Sequence, residues 1–161
     1  MRNTVIIWIS AVAVAALIAV QSDQAAAADK NPSLDALDAR VSELRPRPGF
    51  KDDGLGIIVI RQALISLKEG SGGIGACLVN GKTAAVVATG RNRQYRPYFR
   101  SDLHAEMDLL TRYEDWLRKK GGKASGVDPR DCEGLVLVSS VEPCPMCLTR
   151  IINAGIKKWS T

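Results

Sequence analysis

Residues 135–155 read LVLVSSVEPCPMCLTRIINAG, and the parsing of this stretch decides the fold. Leu135 to Ser140 is a short apolar run rich in β-branched valine, of strand length, and reads as a buried strand. From Pro145 the pattern changes, with a proline early and Gly155 at the end of a short helix. IKKWST, residues 156–161, begins another strand. Strand, helix and strand in immediate succession predict a right-handed crossover between parallel neighbours.

Upstream, residues 73–90 read GIGACLVNGKTAAVVATG, two β-rich runs flanking Asn80-Gly81, a strong short-range hairpin signal. Strands are expected near Ile74–Val79 and Thr83–Thr89, antiparallel to each other. A helix is expected over Gly54–Glu69, stopped by Gly70. Another is expected from Leu103, where Leu103, Met107, Leu110, Tyr113 and Leu117 recur at helical spacing before Gly121-Gly122. Between the hairpin and that helix lies the polar and aromatic loop RNRQYRPYFRSD, and a further loop is expected over residues 123–134. An α/β sandwich with a mixed sheet follows from this order.

With 161 residues, 46% apolar and 24% charged, the chain suits one domain with one core. The first residues do not belong to it. Val5–Val20 is a nearly unbroken apolar run behind Arg2, followed by alanines in A-x-A spacing. This reads as a signal peptide over residues 1–28, cut near Ala27 or Ala28, so that the protein is exported. As a membrane anchor the run falls short of the ~20 apolar residues of a spanning helix. An N-terminal extension over residues 29–52 follows, with Ser33 capping a short helix that Pro46 and Pro48 end. The net charge of +5 stays with the mature chain and suits anionic partners.

Export would favour disulfides among the four cysteines, yet Cys144 and Cys147 are too close in sequence to staple distant parts of a domain. Three apart at a helix start, they present both sulfurs on one face, where the helix dipole favours thiolates and metal binding. His104, the only histidine, lies near the start of the other long helix. One imidazole and two thiolates leave a fourth position open, as in catalytic zinc sites. Glu106 is two residues on, which in a regular helix points away from His104. The two share a site only if His104 occupies an irregular first turn, and the carboxylate then stands beside the metal without ligating it. Zinc lowers the pKa of bound water from 15.7 to about 7, and a carboxylate placed so can take and pass on its proton. Taken separately, the halves have plainer readings: the histidine as a helix cap, C-x-x-C as a redox pair or half a structural zinc site.

Together, His104-Ala105-Glu106 and Pro143-Cys144-Pro145-Met146-Cys147 resemble the signature of the zinc-dependent cytidine, deoxycytidylate and nucleobase deaminases, H-x-E followed by P-C-x-x-C. Glu142 ahead of it, giving EPCPMC, and Gly90–Arg93, GRNR, resemble the guanine deaminase and tRNA adenosine deaminase branch. The resemblance covers about Ile57 to Thr161. It implies a cytidine-deaminase-like three-layer α/β/α sandwich with a mixed sheet over residues 53–161. It also implies zinc as cofactor, held by His104, Cys144 and Cys147, with Glu106 as proton shuttle. Asn92 would hydrogen-bond substrate, and the backbone around Ala105 and Pro143 would hold the ring edge and amine.

The implied reaction is hydrolytic deamination of a nucleobase or nucleoside, purine first, with release of ammonia. Cytosine, cytidine or a polynucleotide is the alternative substrate, and an inactive zinc-stabilised binding module the alternative of another class. The family fold has five strands and a further helical end, whereas this chain stops near its fourth strand. The resemblance therefore implies a C-terminally truncated domain, or a pocket left open or completed by another copy in a homo-oligomer. Arg91, Arg93, Arg96 and Arg100 interleave with Tyr95, Tyr98 and Phe99, which suits nucleotide or nucleic-acid contact or a solvated loop packed by its own aromatics. Cys77 reads as a buried small hydrophobe and Cys132 as a loop thiol.

Overall fold

The computed structural model describes residues 32–119, 132 and 134–161. The expected leader, the Gly121-Gly122 stop and most of the expected loop over residues 123–134 lie outside them. The chain divides into two compact units, Met1–Ala36 and Leu37–Thr161. In the first, the Ser33 hydroxyl accepts a hydrogen bond from the Ala36 amide at 3.1 Å, the expected N-cap. The helix begun there, α1 (Leu34–Glu43), buries no residue. No helix among the described residues is long and apolar enough to cross a membrane.

The second unit is built on a four-stranded sheet of order β2-β1-β3-β4. Its strands are β1 (Gly75–Asn80), β2 (Val86–Arg91), β3 (Leu135–Ser139) and β4 (Lys158–Ser160). The central strand β1 runs antiparallel to both β2 and β3, while β3 and β4 are parallel, so the sheet is mixed. The unit also holds Leu37–Glu43 of α1 and the helices α2 (Asp53–Lys68), α3 (Ala105–Lys119) and α4 (Pro145–Asn153).

Strand parity sorts the core into two layers. Ala76 and Leu78 of β1, with Leu135 and Leu137 of β3, pack with Leu109, Leu110, Tyr113 and Leu117 of α3 and Ile151 of α4. Cys77 and Val79 point the other way and pack against Val59 of α2. The result is the three-layer α/β/α arrangement expected from the sequence.

Two glycines let helices press onto strands. A Cβ built at Gly75 would lie 2.1 Å from the Val59 carbonyl oxygen of α2. One at Gly90 would lie 2.5 Å from the Leu109 nitrogen and 2.6 Å from the Ala105 carbonyl oxygen of α3.

The hairpin differs from expectation in its turn. Asn80-Gly81 is not a two-residue connection, and β2 starts at Val86 rather than Thr83. The Asn80 side-chain oxygen accepts from the amides of Lys82 and Thr83 at 2.9 and 3.1 Å. The Ala84 amide bonds to the Asn80 carbonyl at 2.8 Å, and Ala84 itself has φ 57°. Asparagine here organises a wider loop through its own side chain. A bulge after Leu78, which pairs with Ala88 while Val79 pairs with Val86, adjusts the register.

Candidate metal centre and active site

The ends of two helices build the site. Helix α3 starts at Ala105, so His104 stands in the cap position, its carbonyl accepting the Asp108 amide at 2.9 Å. The irregular position demanded by the H-x-E spacing is therefore present, and Glu106 is the second residue of the helix. Cys144 is the N-cap of α4, with extended backbone (φ −67°, ψ 166°) and no side-chain capping bond. Pro145 at the first helical position supplies no amide that would need a partner. Cys147 follows within the first turn.

The ligand atoms of His104, Cys144 and Cys147 all lie within 4.8 Å of one another, and His104 Nδ1 is 3.6 Å from Cys144 Sγ. A tetrahedral zinc with bonds of about 2.3 Å to sulfur and about 2.1 Å to nitrogen sets its donors about 3.6 Å apart, so the residues present fit the ion. Among the described residues no other cluster of three such groups occurs.

Both helices aim their N-termini at this cluster, and their positive ends favour thiolate sulfur. Opposing that, burial first and the Glu106 carboxylate second push the Cys147 thiol well above the ordinary cysteine range. A dication reverses this balance by charge neutralisation. The donor set, one imidazole and two sulfurs within reach of one ion, is that of a metal site.

Glu106 is 3% exposed. Its Oε1 accepts a hydrogen bond from the Ser139 hydroxyl at 3.0 Å. Ser139, 1% exposed, ends β3 on the face that carries Leu135 and Leu137. Ala105 and Pro143 are buried at the two helix starts.

Asn92 belongs to a different set of hydrogen bonds. Its Oδ1 accepts from the amides of Gly72 at 3.3 Å and Gln94 at 3.0 Å, and its Nδ2 donates to Gln94 Oε1 at 2.9 Å. The Ser66 hydroxyl fixes its carbonyl at 2.7 Å. These bonds hold the end of β2 and the loop leading to His104.

In that loop Tyr95 and Phe99 pair at 5.8 Å between ring centroids, and Tyr95, Tyr98 and Phe99 are all exposed. Arg91 and Arg100 are forked onto Glu69 and Asp102, so this part of the basic charge is internally engaged. Buried Asp108, which accepts the Arg91 amide at 3.2 Å and stands 3.6 Å from Arg93, was not singled out by the sequence. Nor was Ser139, although it is the one polar residue at a core-facing position of LVLVS.

Cys77 lies on the opposite sheet face, where burial pushes its thiol up to about 11, and Cys132 is buried against Leu135 and its neighbours. No disulfide joins any of the four cysteines.

Fold and site together define a zinc-binding deaminase domain. Residues 58–161 match the family model for the cytidine and deoxycytidylate deaminase zinc-binding region, and the chain belongs to that family. Among solved structures it is similar to the guanine deaminase of Nitrosomonas europaea. The two share 21% identity over 75% of this chain and 63% of that one, at a TM-score of 0.54. A second similar structure, NE0047 in complex with 2,6-diaminopurine, is 23% identical over 63% of this chain and 50% of that one, at a TM-score of 0.52. The guanine deaminase of Bacillus subtilis is 27% identical over 63% of this chain and 57% of its own, at a TM-score of 0.45. This chain therefore spans about half to two thirds of the length of these structures.

Proposed function

We propose that the protein hydrolytically deaminates a purine nucleobase or nucleoside, exchanging an exocyclic amine for oxygen and releasing ammonia. The observation that carries this reading is the buried carboxylate of Glu106 at the His104, Cys144 and Cys147 cluster. A purely structural zinc site has no use for an acid that is not a ligand. Zinc held by the three residues supplies Lewis acidity and a more acidic water. Glu106 then accepts a proton from the attacking water, gives it to the ring nitrogen, and serves again as the amine leaves as ammonia. Water and substrate amine together account for every atom of the oxo product and ammonia.

The purine preference is supported by EPCPMC and GRNR and by the purine-related names of the structures that share the fold. Asn92 is assigned to the substrate edge, using the Nδ2 proton not given to Gln94, and the backbone at Ala105 and Pro143 to the ring and amine. The apolar run Val5–Val20 and the alanines behind it support action outside the cytoplasm. N-terminal sequencing of exported protein is expected to return a start near Ala28 or Asp29, and a start at Met1 would count against cleavage.

The test is ammonia release by zinc-loaded protein over a panel of bases, nucleosides, nucleotides and short oligonucleotides. Parent protein is expected to turn over a purine, and Glu106→Gln to lose at least about 10²-fold of that turnover with zinc retained. Near-parental turnover by Glu106→Gln would sink the mechanism.

A further inference from the structure

Glu106 can serve in several proton transfers only if its carboxylate keeps one direction. From the geometry we infer that Ser139 is the positioning residue that sets it. The inference rests on the proposed role of Glu106.

Alternation along β3 sends Leu135, Leu137 and Ser139 toward the layer formed by α3 and α4. Two of these are apolar core residues, and the third is a hydroxyl with 1% exposure. A buried hydroxyl without a partner is destabilising, and here the partner is Oε1 of Glu106 at 3.0 Å. The bond crosses from strand to helix between residues 33 apart in sequence. Its donor ends β3, an inner strand of the sheet, where Ser139 lies opposite Ala76 of β1.

An isolated glutamate has three rotatable side-chain bonds and two equivalent oxygens, so helix placement alone does not fix its carboxylate plane. The Cys147 thiol also meets the carboxylate; the hydrogen bond to Oε1 from an inner strand restricts that freedom and leaves Oε2 as the oxygen for proton transfer. Pre-set orientation of this kind is where a small displacement costs a large factor in rate. Ser139 lies outside the three-residue metal cluster, so its contribution is separable from metal binding. Threonine keeps the hydroxyl, and alanine removes it with little change of volume.

The experiment compares zinc-loaded parent, Ser139→Ala and Ser139→Thr by zinc content, crystal structure and steady-state kinetics on the best substrate of the panel. In Ser139→Ala the Glu106 carboxylate is expected to turn from its parental direction. The expected kinetic change is at least a tenfold fall in kcat, with zinc content and KM close to parental; Ser139→Thr is expected to restore both orientation and kcat. A carboxylate unmoved in Ser139→Ala overturns the inference, as does a turned carboxylate with parental kcat. If the parent turns over nothing on the panel, the deaminase reading fails by itself, and the carboxylate direction in Ser139→Ala still decides whether Ser139 sets it.

Discussion

Replacing Gly90 by alanine is expected to loosen the site from a distance. A Cβ there would stand 2.5 Å from the Leu109 nitrogen and 2.6 Å from both the Ala105 carbonyl oxygen and Leu109 Cα. Each is roughly 1 Å inside ordinary contact, where repulsion is steep. All three atoms are helix backbone, so no side chain can swing aside and α3 itself must lift from β2. Overpacking of this kind costs about 1–3 kcal/mol, or roughly 5–15 °C in Tm for a domain of this size. Because the clash falls on the first turn of α3, the lift also carries His104 away from the cysteines on α4. Metal sites tolerate only about 0.2 Å in ligand distance, so zinc affinity is expected to fall at least tenfold. Thermal unfolding with and without zinc, together with zinc competition against a chromophoric chelator, reads both quantities. Parental Tm and affinity in Gly90→Ala would refute the claim that this glycine sets the seat of α3.

Cys144→Ser is expected to lose most bound zinc by elemental analysis, since a hydroxyl replaces a thiolate poorly; full occupancy would remove Cys144 from the site. Zinc uptake is expected to release at least one proton, because Cys147 is protonated until the metal binds. Apparent affinity then rises about tenfold per pH unit for each proton released, which calorimetry in buffers of different ionisation enthalpy checks. Arg91 beside Glu69 holds that carboxyl below its usual range. The stabilisation is therefore full above the ordinary Glu value of about 4.3 and disappears as pH falls through the lower folded value. Glu69→Gln is expected to flatten the acid limb of urea midpoints below the ordinary Glu value by a small margin, because the pair is partly exposed.

The metal ligands were legible because their chemistry is local: a cap position before one helix, and a cap and first-turn pair at another. Spacing alone required His104 to precede the regular helix, and it does. The alternation and turn signals also gave each described strand and helix within a few residues. What stayed hidden depends on pairing between distant segments. That β1 runs antiparallel to β3 and lies at the centre of the sheet follows from no local pattern. The need for glycine at positions 75 and 90 arises only once a helix lies against the strand. Asn80-Gly81 misled on turn length because Asn80 uses its side chain, not its backbone twist, to organise the loop. Ser139 left a trace in the polar break of LVLVS, but its meaning needed Glu106, 33 residues away.

His104 and Cys144 are separated by 40 positions, so an ion bound between them fastens two remote parts of the chain. In the chain-entropy picture, a link closing a loop of that length removes about 4 kcal/mol of freedom from the unfolded state, comparable to a disulfide. Unlike a disulfide, this clasp opens by chelation and needs no electrons. Scarcity of zinc would then show as faster proteolytic turnover of the same zinc-free chains that have lost the metal's chemistry.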